Sequence, residues 1–270
     1  MRSTVKVIFI TLLLAVLKTP VLAQCGSENN AFKSGEILSY DLYYNWKFIW
    51  VKAGTASMST VQSFFQGKPA YRASLTTKGS SKVDNMFVLR DTLLCYTGTD
   101  LVPHYYRKGA HEGSRYTVDE VWYSYDNGKC KIRQHYQNKD GEHKYKNSED
   151  TKCIYDMMSM LIRARNFSTE GFKPGHKIYF PLADGDNVNN GLLIYRGKED
   201  FKMEKQNTTF RCLVFSFMDT DKDKEVIRFY VTDDDNHIPV RLDMFLNFGV
   251  AKAFISGMRN LRNPMKSIIK

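Results

Sequence analysis

From Leu38 the even positions read Leu38, Tyr40, Leu42, Tyr44, Trp46, Phe48 and Trp50, with Ser39, Asp41, Asn45 and Lys47 among the residues between them. Only an extended chain places alternate side chains on one face, so this stretch commits the N-terminal part of the protein to a β-sheet with one apolar side. The polar residues from Asn45 to Lys47 divide it into two strands. The next stretch, Ala53-Gly54-Thr55-Ala56-Ser57-Met58-Ser59-Thr60, is small and β-permissive, which suits close packing against a neighbouring strand or curvature of the sheet. Gly67-Lys68-Pro69 then turns the chain into residues 70–77.

Hairpin signals recur along the rest of the chain. Asp126-Asn127-Gly128 joins residues 118–125 to 129–136, and Asp140-Gly141 follows; both supply the positive backbone angles of tight hairpins. Further extended runs occupy 191–196, 209–218, 225–232 and 238–245, with polar turns at 219–224 and 233–236. One segment departs from this pattern. Ile154, Met157, Met158, Leu161 and Ile162 recur at helical spacing, with Asp150 or Thr151 as N-cap and Arg163 and Arg165 at the C-terminal end. The spacing predicts an amphipathic helix of about 14 residues ending before Gly171, its methionine face serving as core. A shorter helical turn is expected over 81–87. The expected fold is all-β and mainly antiparallel, a curled sheet or barrel-like meander of about twelve strands with one amphipathic helix. No proline- or serine-rich linker interrupts the chain, so residues 24–270 read as one domain ending in a short basic tail from about 256.

The first 23 residues read as a secretory signal peptide: Arg2 and Lys6, an apolar run over 7–17, then Val21-Leu22-Ala23 as the cleavage site. A run of that length is too short for a membrane-spanning helix, which needs about 20 apolar residues. Cys25 stands near the cleavage site, but a lipoprotein signal places a small residue before its cysteine and here Gln24 precedes it, so a soluble periplasmic or outer-membrane-associated protein of a Gram-negative bacterium is expected. Losing Arg2, Lys6 and Lys18 with the leader lowers the net charge from +10 to +7. The lysines and arginines are scattered and the protein is exported, so nucleic acid is not expected; the alternatives are a solvated basic surface or attraction to anionic lipid or glycan. Of five cysteines, Cys25 lies in the leader-proximal stretch and Cys95, Cys130, Cys153 and Cys212 in the body. Their odd number leaves at least one thiol unpaired, and Cys95 and Cys212 read as small buried hydrophobes.

Catalytic signatures are sparse. Neither Gly-x-Ser-x-Gly nor His-Glu-x-x-His occurs, and His104, His111, His135, His143, His176 and His237 read as exposed loop histidines. Asp219-Thr220-Asp221-Lys222-Asp223 opens like a calcium loop, but Lys224 and Tyr230 stand where an EF-hand needs Gly and Glu. No cofactor, metal or catalytic residue is assigned. The aromatic face remains: Tyr40, Tyr44, Trp46, Phe48 and Trp50 either build the core or line an apolar groove for lipid or another hydrophobic ligand.

Five segments taken together resemble a known family: Phe32-Lys33-Ser34-Gly35-Glu36-Ile37-Leu38-Ser39-Tyr40; Lys52-Ala53-Gly54-Thr55-Ala56; Arg90-Asp91-Thr92 with Leu101-Val102-Pro103; Tyr155-Asp156-Met157-Met158-Ser159 leading to Arg163; and Asp235-Asn236-His237-Ile238-Pro239-Val240. In this order and spacing they are similar to the exported bacterial family called domain of unknown function 3108, in its Bacteroidetes-type members. The resemblance implies an all-β, barrel-like exported protein with one prominent helix and no established activity; a likeness to periplasmic lipoprotein carriers is architectural only. Within these segments Gly35 and Gly54 suit bends, Pro103 and Pro239 suit strand starts or edges, Asp156 suits the helix dipole, and Asp91 or Asp156 is expected to pair with Arg90 or Arg163. The expected function is a non-enzymatic binding or carrier module for an apolar or amphiphilic ligand. The alternatives are an envelope hydrolase acting on glycan or lipid, or a scaffold for another envelope protein. Expected partners are accordingly lipid, envelope proteins or an anionic membrane surface.

Overall fold

The alternation that begins near Leu38 becomes a run of antiparallel strands in which nearly every neighbour in sequence is a neighbour in space. A computed structural model of the protein describes residues 25–46, 49–84, 88–203, 207–246 and 249–269. The segment read as a signal peptide and Phe48 lie outside these residues. The first half of the chain forms β1 (Glu36–Trp46), β2 (Ile49–Phe65), β3 (Lys68–Gly79), the short α1 (Ser81–Asp84), β4 (Leu89–Gly98), β5 (Pro103–Glu112), β6 (Arg115–Asp126), β7 (Lys129–Gln137) and β8 (His143–Asp150). Helix α2 (Met157–Ala164) crosses to the second half. That half comprises β9 (Lys177–Asp184), β10 (Asn187–Met203), β11 (Thr208–Asp219), β12 (Lys224–Thr232), β13 (Pro239–Leu246), β14 (Gly249–Arg259) and β15 (Ile268–Ile269).

The strands form one 15-stranded sheet, ordered β8 to β1 and then β14 down to β9, with β15 on β11. Two meanders therefore meet at the β1–β14 pair, and fifteen strands replace the dozen expected from sequence. The sheet is curled and open: β8 and β9 are its free ends. Across that gap Gln134 of β7 donates Nε2 bonds to the carbonyls of Gly185 (3.0 Å) and Asn187 (2.8 Å) in the β9–β10 turn. The outer edge of β9 is covered by Tyr155, whose N–H donates to Pro181 and whose carbonyl accepts from Ala183 in a parallel bridge. Covering an edge in this way protects it from pairing with other chains.

That bridge explains why the helix is shorter than its pattern. Tyr155 makes strand-like bonds to β9, and Cys153 is joined to Cys25 by a disulfide, so the helix starts at Met157 with Asp156 as N-cap. Neither Asp150 nor Thr151 caps it. The disulfide also takes Cys25 out of the leader-proximal stretch and into the fold. Cys95, Cys130 and Cys212 are free and buried, and burial pushes the Cys212 thiol up to about 12.

Tight geometry accounts for two of the glycines in the motif segments. Gly35 has φ of +87° at the entry to β1, and a Cβ on Gly54 would lie 2.2 Å from the Lys78 carbonyl of β3. Pro239 opens β13. The basic C-terminal stretch is laid against the body: Arg262 donates to the Asn29 carbonyl at 2.9 Å, Ser267 Oγ to Asp234 at 2.7 Å, and Ile268 and Ile269 pair with β11.

The core lies between the sheet and α2, where Phe32, Leu38, Met58, Cys95, Met158, Ile162 and Ile238 are buried. At its centre Arg165, just past α2, donates Nη1 to Glu36 Oε1 at 2.5 Å and Nη2 to Glu36 Oε2 at 3.0 Å, with both side chains 2 % exposed. The same guanidinium donates to the Asn236 carbonyl and lies over the Phe32 ring, while Nδ1 of His237 contacts the Arg165 carbonyl at 2.7 Å. Two of the segments carrying the family resemblance thus meet at one buried ion pair, with Arg165 lying two residues beyond the end of a third. Breaking such a pair strands a charge and costs about 3–5 kcal/mol. Glu36→Ala is expected to lower the unfolding free energy in urea by about that amount, and Glu36→Leu with Arg165→Met by less than the two single losses added. Alkylation of the unfolded, unreduced protein should label three thiols, and five after reduction.

Candidate apolar groove

In the antiparallel pairing of β1 with β2, Trp46 lies opposite Ile49 and Asn45 opposite Trp50. Directly opposed residues share a face of the sheet. Trp50 therefore stands with Asp41, Tyr43 and Asn45, on the side opposite Tyr40 and Tyr44, although all the even positions looked alike in sequence. Tyr40 is buried in the core at 6 % exposure, where burial pushes its phenol up. Tyr44 is half-buried, its ring close to Gly249. The five aromatic residues do not form one surface: among them Trp50 lines the groove, Tyr40 and Tyr44 do not, Trp46 pairs with Ile49 through its backbone, and Phe48 is outside the described residues.

The groove, with a volume of about 400 Å³, runs over β1 and β14 and is walled by the far end of β10. A register shift between Tyr195 and Gly197, with Gly197 at φ +114°, interrupts the regular pairing of β10 with β11. Beyond it Phe201 lies over Phe254 of β14, with ring centroids 5.9 Å apart and nearly parallel. Tyr43 meets Phe254 edge-on at 5.8 Å. Met203 and Trp50 extend this apolar lining, and Trp50 remains 41 % exposed. Arg241 lies over Tyr230, Phe201 and Phe254 at 4.5, 5.5 and 5.9 Å, and its Nε and Nη2 donate to the two Asp243 oxygens at 2.8 and 2.6 Å. Lys252 Nζ sits 4.5 Å above the Trp50 ring. Asp41, the carboxylate among the lining residues, is paired with Lys52 at 2.7 Å. An elongated apolar surface with charges at its margin is suited to holding an amphiphile.

The expected pairing of Asp91 or Asp156 with Arg90 or Arg163 does not occur. Arg90 pairs with Asp84 at 2.6 Å, and Arg163 donates to the Cys25 carbonyl at 3.0 Å and lies over Tyr155. Asp91 sits in β4 with its N–H donating to Thr77 Oγ1; burial, then Glu112, pushes its carboxyl up. Of the histidines, His176 lies exposed in a loop as expected, whereas His104, His111, His135 and His143 lie in strands. His135 is 8 % exposed in β7, with Nδ1 at 2.8 Å from Glu120 and Nε2 at 2.8 Å from Nδ1 of His143, and Tyr145 stacks on it. Burial alone would raise the Glu120 carboxyl, but bonds from Tyr105 and His135 outweigh it and leave it below its ordinary value. Cross-strand register assembles this group from four strands, so a search for histidines at helical spacing passes over it. Asp219 caps its own turn, accepting from the N–H groups of Asp221 and Lys222. Among the described residues no three His, Cys, Asp or Glu side chains are arranged to hold a metal ion.

A family model described as "Protein of unknown function (DUF3108)" matches residues 39–256. The chain belongs to the DUF3108 family. The match runs from within β1 to within β14 and contains all the groove residues named above. Among solved structures, this DUF3108 chain is similar to a β-barrel-like protein of domain of unknown function DUF1849 from Brucella abortus, with 10 % identity and a TM-score of 0.53 over 86 % of this chain and 100 % of that one. At that identity the likeness concerns the fold. No curated protein matches the sequence.

Within this DUF3108 fold Asp156 is the most deeply buried acid of the motif segments. Its Oδ1 accepts the Ser159 N–H at 2.8 Å, and its Oδ2 accepts from Ser159 Oγ at 2.5 Å and Tyr123 Oη at 3.0 Å. Burial raises its pKa to about 6 although these bonds pull the other way. The unfolded carboxyl titrates near 3.8, so between the two values the folded protein holds a proton that the unfolded chain has lost. The resulting stabilisation is complete below the lower value and disappears as pH rises through 6. Relative to Asp156→Asn, the native protein is expected to gain about 2–3 kcal/mol between pH 7.5 and pH 4 in parallel denaturant titrations.

Proposed function

We propose that this protein is an exported, non-enzymatic binding or carrier module of the cell envelope, holding an apolar or amphiphilic ligand in the groove beside Trp50. The observation that carries the reading is the apolar surface of Trp50, Phe201, Met203 and Phe254, left open to solvent at Trp50. Burying an exposed indole and its neighbours against an acyl or ring system gains about 25 cal/mol per Å² of apolar area removed from water. Export is supported by two independent features. The chain starts with a cationic, then apolar leader, and its Cys25–Cys153 disulfide suits an oxidising compartment. That disulfide uses the sulfur that lipid attachment at Cys25 would require, which favours a soluble periplasmic protein over an anchored one. A hydrolase reading has less support, because Asp41 in the groove is held by Lys52.

The test is native mass spectrometry with solvent extraction on protein purified from an exporting bacterial host. A stoichiometric apolar adduct is expected, lost in Trp50→Ser and retained in Tyr40→Phe, whose side chain faces the core. A clean apo mass, with no uptake of added fatty acid or lysophospholipid, would refute the carrier reading.

A further inference from the structure

Two of the cations around the groove are matched by carboxylates. Arg241 is matched by the bidentate Asp243, and Lys52 by Asp41. Lys252, on β14, stands opposite Tyr43 of β1 and Asp243 of β13 on the same face. Asp243 already has both oxygens engaged by Arg241, and Lys252 makes no ion pair with a carboxylate among the described residues. Its ammonium rests on the face of Trp50, at the solvent-exposed part of an otherwise apolar surface. An indole face holds a cation in place by its quadrupole while leaving the cation's remaining donors free for an anion. Glu199 adds a weaker negative field, felt at Arg241.

We propose that Lys252 is the head-group residue of the groove and that the ligand is an anionic amphiphile. Its carboxylate or phosphate pairs with the ammonium above Trp50, and its acyl chain lies along Trp50, Phe254, Phe201 and Met203. This assignment rests on the groove reading above and adds the charge of the ligand to it. The cavity volume of about 400 Å³ is in the range of small-molecule sites and fits one chain rather than a folded partner. The chemistry accounts for a lysine at this position: an apolar ligand without a head group gains nothing from it, and a cationic one is repelled. Because the pair forms at a partly exposed rim, it weakens as salt rises.

The experiment is a calorimetric titration of delipidated full-length mature protein with three amphiphiles of equal chain length: myristate, monomyristin and myristyltrimethylammonium. Myristate is expected to bind at least tenfold more tightly than the other two, and its advantage to shrink in high salt. Lys252→Gln should remove that advantage while leaving monomyristin affinity and the melting temperature unchanged, and Lys252→Arg should retain it. Equal affinities for all three amphiphiles, or no effect of Lys252→Gln on myristate, would overturn the head-group assignment and leave the groove standing. Failure of all three to bind would overturn the groove reading itself. Sedimentation with phosphatidylglycerol vesicles distinguishes the two sources of the anion. Soluble complexes that do not sediment point to a free fatty acid, and co-sedimentation reduced by Lys252→Gln points to a bilayer phospholipid; both outcomes carry the anionic head group.

Discussion

The buried pair of Glu36 and Arg165 is the contact on which the arrangement of the molecule depends. Two unit charges removed from water are tolerable only when each finds its counterpart and the remaining donors are satisfied. Here four of the five guanidinium N–H donors are engaged, by the Glu36 carboxylate and the Asn236 carbonyl, and the group lies over the Phe32 ring. The contact joins the entry to the central strand β1, the end of α2 and the turn before β13. These are parts of the chain that neither share a hairpin nor follow one another. A hairpin meander specifies neighbours two at a time and leaves the curvature of a long sheet weakly determined. Fixing the helix to both halves of the sheet at once sets how far that sheet curls.

The curl has two consequences. It brings β7 close enough to the β9–β10 turn for Gln134 to bond across the gap without closing the barrel. Tyr155 covers the β9 edge there, two residues from Cys153, which is held by the disulfide to Cys25. The second consequence is on the other side of β1. There the displaced end of β10 lies against β14 and lines an apolar surface that stays open to solvent at Trp50. On β1 itself the two faces divide: Tyr40 serves the core, and Asp41 and Tyr43 the groove, whose lining residues Phe201 and Met203 are continuous with the core.

Electrostatics divides the charged side chains between support and binding. Arg165 with Glu36 and Arg241 with Asp243 are bidentate pairs stacked on aromatic rings, which favours fixed geometry. Lysine at position 252 gives the opposite: a flexible, compact charge at the rim, held by an indole and available to a ligand. The Glu120, His135 and His143 chain on the outer side of the sheet shows how much polar structure the strand register can assemble without any local sequence signal.

Local pattern in the sequence marks β1–β3, β6, β7 and β10–β13, most of the turns between them, one amphipathic helix and the all-β class, but gives no bounds for β4, β5, β8, β9, β14 or β15. Each marked feature depends on a pattern within a few residues: alternation at period two, Asn127-Gly128 at a hairpin, and Met158, Leu161 and Ile162 on one helical stripe. The resemblance carried by the motif segments also located residues that the fold uses, including Gly35, Gly54 and Asp156. Strand pairing fixed the face on which Trp50 lies, because the register that sets Asn45 opposite Trp50 inverts the alternation and is not visible in the pattern. Tertiary structure also decided the disulfide partner of Cys25, the shortening of α2 by pairing at Tyr155, and the meeting of Phe201 and Met203 with Lys252 and Phe254. Periodicity states which side chains share a face of one element; it does not state which elements approach, and the groove is made entirely of such approaches.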